Sequence, residues 1–130
     1  MAPWILVASG SALGGLARDA LSLLLPTGPG AWPSATMSAN FLGSFLIGVF
    51  SVLVGLRASG DAEALRLFWM AGVLGGFTTY SAFALETVLL VGQGVSARAG
   101  AYVLLTVFGG AALALLGRVL AIRAISFWEI

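Results

Sequence analysis

The chain has 130 residues, 60% of them hydrophobic and only 8% charged, with six Lys and Arg against five Asp and Glu for a net charge of +1. An ordinary soluble domain carries roughly a quarter of its residues as charges, so a water-soluble fold of this size is excluded. Histidine and cysteine are both absent, which removes thiol chemistry, zinc-type ligand sets and the usual general base. The sequence therefore does not read as an enzyme, and without a basic cluster it offers nothing to nucleic acid.

A membrane-spanning helix needs about 20 apolar residues, and the apolar residues gather into four runs of that order, near 4–25, 35–56, 67–91 and 99–122. The first lacks a basic leading region and is too long for a signal-peptide core, so it is read as a span. Residues 26–33 (PTGPGAWP) read as a turn because Pro and Gly do not continue a helix. Residues 57–66, with four of the eleven charges, and 92–98, small and polar, read as the other connectors. The expectation is an all-α membrane protein, a single transmembrane domain over residues 1–130 with four helices in the lipid bilayer.

In the first span Gly10, Gly14 and Arg18 follow at four-residue steps, and Arg18 is read as structural, snorkelling to the interface or capping a neighbour. In the second, Asn40, Ser44, Gly48, Ser51 and Gly55 share one face. Small residues in a stripe permit close helix contact, whereas the Asn40 carboxamide is costly to leave unpaired in a span and has donors and an acceptor to offer.

The third run is long, and its middle is Gly75-Gly76-Phe77-Thr78-Thr79-Tyr80-Ser81, a poor helix former. A break at the midplane is expected there, exposing backbone carbonyls and amides of the kind that discontinuous helices use to bind ions. Beyond it lies Glu86, whose carboxylate needs a partner or water. The fourth span places Tyr102, Thr106 and Gly110 at steps of four, which would stack two hydroxyls on one face.

With four spans, Arg57, Arg66, Arg118 and Arg123 share one side of the membrane, while Arg18 and Arg98 belong to the other. That is a small positive-inside bias, which either sets the termini in the cytoplasm or leaves a chain that inserts both ways up and pairs as an antiparallel dimer. The two-fold axis of such a dimer lies at the midplane, so the two broken segments would meet there and could converge their carbonyls on one hard cation such as sodium; the alternative is a glycine hinge or a close helix crossing.

Three motifs together resemble the Fluc (CrcB) family of fluoride channels over almost the whole chain: Gly14-Gly15-Leu16-Ala17-Arg18, Asn40-Phe41-Leu42-Gly43-Ser44-Phe45 with Gly48, and Gly75-Gly76-Phe77-Thr78-Thr79-Tyr80-Ser81-Ala82-Phe83. The resemblance implies a dual-topology homodimer in the cell (inner) membrane that exports fluoride passively. It further implies that Asn40 helps coordinate fluoride, that Tyr80 and Phe83 stand for the two rings of an aromatic box, and that Gly75 and Thr78 hold a central structural sodium through their carbonyls. Ser81 and Glu86 match a polar network at the pore end, Tyr102 and Thr106 a hydroxyl track, and Arg18 a vestibule or structural arginine.

The chain departs from the family's pattern at Tyr80, which adds a hydroxyl, at Ala82 and at Gly110, which lack one. Such losses also suit one half of a heterodimeric channel. A different class, a small proton-coupled exporter of cationic drugs, needs a carboxylate in the first span, where only Asp19 is available.

Overall fold

A computed structural model describes residues 2–25, 31–57 and 59–128. The described residues are almost wholly helical. α1 is Pro3–Leu24 and α2 is Ser34–Gly55. α3 begins at Ser59–Leu65, runs on through a π-helical stretch, Arg66–Leu74, and ends with the turn Gly75–Phe77. α4 is Tyr80–Gly92; α5 begins at Ser96–Leu104, passes through a second π-helical stretch, Leu105–Gly109, and continues as Gly110–Trp128. Of the turn expected at 26–33, residues 26–30 lie outside the described residues.

Two connectors read from the sequence are shorter than expected. Helix begins at Ser59 within the charged run, with Asp61 in its first turn, where a negative charge favours the helix N-terminus. Arg66 pairs with Glu63 at 2.8 Å one turn along. The 92–98 link closes at once on Gly94, whose φ of +79° glycine adopts without strain. Gly94 N–H donates to the Val91 carbonyl at 3.0 Å and Val95 N–H to Leu90 at 3.2 Å, the paired bonds of a Schellman turn, and α5 starts at Ser96.

Among the described residues, three helices are long and apolar enough to cross a membrane: Ser34–Gly55, Gly60–Gly92 and Ser96–Phe127. α1 is as long as α2, but Arg18 and Asp19 toward its end keep it below the apolarity of those three. Large side chains such as Leu23, Val88, Phe108 and Leu115 point outward, as expected where the surrounding solvent is hydrocarbon.

Glycine stripes set how the helices pack. α2 lies along the last segment of α5, and α1 along the end of α3. A side chain added at Gly48 would collide with the Ala114 carbonyl, and one at Gly117 with the Phe45 carbonyl, so the α2–α5 crossing is a backbone-to-backbone contact from both sides. Gly10 and Gly14 admit the backbone of Phe68, Gly72, Val73 and Phe77 in the same way. Close approach of this kind is the main source of helix association in lipid. The stripe that begins at Asn40 therefore does two jobs, its Gly48 packing α5 and its first residue serving the break described next.

Candidate functional site

The third span is broken at two residues. Thr78 (φ −80°, ψ 157°) and Thr79 (φ −148°, ψ 118°) are extended between α3 and α4, inside the glycine- and threonine-rich stretch where a break was expected. Asn40 on α2 pairs with both backbone groups of Thr79: Thr79 N–H donates to Asn40 Oδ1 at 2.8 Å, and Asn40 Nδ2 donates to the Thr79 carbonyl at 3.1 Å. The approach depends on Gly43, one turn on, where any side chain would collide with the Thr78 methyl.

The pairing rearranges the helix ladder. In an unbroken helix the Thr79 N–H would bond the Gly75 carbonyl four residues back, but Asn40 takes it. Likewise the Ala82 N–H, which would bond the Thr78 carbonyl, donates to the Thr79 hydroxyl at 3.3 Å as an N-cap. In an unbroken helix the carbonyls of residues 75–78 would accept from the N–H groups of residues 79–82, so Gly75 and Thr78, the two singled out from the sequence, are displaced from the ladder together with Gly76 and Phe77. No cluster of three or more His, Cys, Asp or Glu side chains occurs among the described residues.

Beside the break opens a cleft of about 360 Å³ lined by Asn40, Ser44, Gly75, Thr78, Thr79 and Tyr80, with Phe83 and Thr106 among the remaining walls. None of the arginines lines it. Thr78 and Thr87 satisfy their hydroxyls on the preceding helical turn, donating to Leu74 at 2.9 Å and Phe83 at 2.8 Å. Thr106 does not: its hydroxyl oxygen is buried and has no hydrogen-bond partner among the described residues. It sits in the π-helical stretch Leu105–Gly109, a distortion frequent at functional sites.

Glu86 belongs to a second, separate cluster. Its Oε1 accepts from the Thr36 hydroxyl at 2.7 Å and its Oε2 from the Tyr102 hydroxyl at 2.6 Å. Tyr102 is fully buried, and it turns to Glu86 rather than sharing the cleft with Thr106. No hydrogen bond joins the Tyr102 and Thr106 hydroxyls among the described residues.

Rings join the two clusters. Tyr80 and Phe83 lie 5.7 Å apart, Phe83 and Tyr102 5.2 Å, and Tyr102 meets the edge of Trp32 at 5.8 Å. Ser81 is exposed, and its hydroxyl lies 3.4 Å from that of Thr79, at the start of α4 and not among the partners of Glu86. Arg18 is half-buried on α1, one turn beyond Gly14, and does not line the cleft.

Three contributors were not singled out from the sequence. Thr36 lies one turn before Asn40 on the same face of α2, which was its available signal. Thr79 was read only as part of the break, and Trp32 as part of a turn.

Residues 5–118 match the profile of a family described as CrcB-like protein, Camphor Resistance (CrcB). The chain belongs to this family. Among curated CrcB relatives it is 37% identical over 118 residues to the "Fluoride-specific ion channel FluC" of Hyphomonas neptunium, covering 88% of this chain and 91% of that one. The proteins of the same name from Roseobacter denitrificans and Thermus thermophilus are 47% and 43% identical, over 79% and 90% of this chain and 82% and 93% of theirs. The match reaches from α1 to the last segment of α5, so the break, the cleft and the Glu86 cluster all fall within the CrcB-like part of a multi-pass membrane protein.

Proposed function

We propose that the chain is a fluoride-selective channel through which fluoride leaves the cell passively, and that it works as an antiparallel homodimer in the inner membrane with α1 as a fourth span. The single observation that carries this reading is the unpartnered Thr106 hydroxyl at a cleft without basic side chains. Fluoride is small and strongly hydrated, so a pathway must replace its water with N–H and O–H donors. Thr106 supplies one, and Asn40, whose carboxamide has two N–H groups, keeps one beyond its bond to Thr79.

The positive edges of the Tyr80 and Phe83 rings add weaker attraction along the path toward Ser81, Glu86 and Tyr102. Conduction requires binding weak enough to release, which favours such a set over an arginine ring. Arg18 is assigned a vestibule or structural role. The packing of Gly10 and Gly14 on α3 supports membership of α1 in the bundle, and Tyr80, 80% exposed on the cleft wall, supports a second subunit covering it.

Sodium as a structural ion between two such breaks is part of the same proposal. The Gly75 and Thr78 carbonyls, displaced from the ladder, suit a hard cation, which would supply a positive charge joining the two subunits. A proton-coupled exporter is the weaker reading, because Asp19 is exposed on α1 and away from the cleft.

The test is efflux from liposomes that contain the purified chain alone. Fluoride should discharge while chloride is retained. Release of both ions, or of neither, would contradict the proposal.

A further inference from the structure

We infer that Asn40 is a positioning residue for the cation site at the break, holding the Gly75 carbonyl out of the helix ladder by occupying the Thr79 N–H. This rests on the proposal that the break binds sodium, and it gives Asn40 a second task beside the anion path. The carboxamide matches a peptide group, acceptor to donor and donor to acceptor, at 2.8 and 3.1 Å. It therefore stands in for the strand neighbour that extended backbone at Thr78 and Thr79 otherwise lacks.

Without it, the Thr79 N–H would be left unpaired in the membrane, where each unsatisfied backbone group costs several kcal/mol. The acceptor four residues back is the Gly75 carbonyl, so the chain's remedy is to rewind the break and withdraw that oxygen from the cation. The Thr79 hydroxyl plays the matching part for Thr78, taking the Ala82 N–H that would otherwise reclaim the Thr78 carbonyl. One carboxamide thus touches both the anion cleft and the cation site. Any free energy by which one ion alters its geometry must appear reciprocally in the affinity for the other.

The experiment is equilibrium binding of radiolabelled sodium to the purified full-length protein, with fluoride efflux measured in parallel. Asn40→Leu removes the acceptor and should weaken sodium binding by about tenfold or more, a loss of one ligand's worth of affinity. Asn40→Asp keeps an oxygen for the Thr79 N–H and should hold sodium affinity within about threefold, although both variants lose fluoride flux. A residue that merely packs α2 against α3 would not separate the two substitutions in this way.

Thr79→Val should weaken sodium binding as Asn40→Leu does and Thr79→Ser should restore it, which carries the test if Asn40→Leu does not assemble. Parent-like sodium binding in Asn40→Leu or Thr79→Val, equal loss in Leu and Asp, or no sodium binding by the parent would each overturn the inference. A parent that binds sodium with this pattern and does not conduct fluoride would instead contradict the functional proposal alone.

Discussion

The two polar clusters of this chain lie within one ladder of rings and treat their hydrogen-bonding groups in opposite ways. At Glu86 both carboxylate oxygens are met by hydroxyls, from Thr36 and Tyr102, at 2.7 and 2.6 Å. At the cleft, a threonine hydroxyl is buried without a partner among the described residues, and the carbonyls of residues 75–78 are displaced from their helix. A saturated cluster stiffens the fold, since every group removed leaves another unpaired. An unsaturated one stores capacity that a visiting ion can use. Under the proposed function, the difference gives stability chiefly to the first and ion traffic chiefly to the second.

Substitutions at the saturated cluster should break the fold before they break selectivity. Glu86→Leu strands both hydroxyls and should cost about 2–3 kcal/mol of stability, read as a large drop in thermal midpoint in detergent. Thr36→Val removes one donor at nearly constant shape and should cost about 1 kcal/mol. If the two variants melt together with the parent, the cluster is not the stabilising one.

At the cleft the expected effects fall on flux. Phe83→Ile deletes a ring that touches both Tyr80 and Tyr102 and should block most of the fluoride efflux. Tyr80→Phe keeps the ring and its edges, and flux should stay within about threefold of the parent, because an edge contact is weak and the ring's quadrupole survives loss of the hydroxyl. Equal losses in the two variants would remove the ring edges from the account.

The helices, the glycine seams and the place of the break were legible from the sequence, because each follows from a periodicity or from residues that make poor helix. Asn40 stood out as a lone carboxamide in a span. Its pairing with both backbone groups of Thr79 was not legible, since it depends on how closely Gly43 lets α2 approach the break. The bond from Tyr102 to Glu86 was hidden for a related reason, since it joins two helices whose approach spacing within one helix does not give. Helix from Ser59 onward was missed because the charges of 57–66 read as a connector, although Asp61 and the Glu63–Arg66 pair favour helix in that place.

The most direct test of the account is Thr106→Val beside Thr106→Ser, measured for both fluoride efflux and thermal stability. An unpartnered hydroxyl gives the fold nothing, so Thr106→Val should melt no lower than the parent while its fluoride flux falls by about tenfold or more, a tenfold change in rate corresponding to 1.36 kcal/mol of barrier. Thr106→Ser, which keeps the donor, should conduct within about threefold of the parent. Undiminished flux in Thr106→Val, or a loss of flux matched by a loss of stability, would contradict the claim that this hydroxyl is held open for the ion.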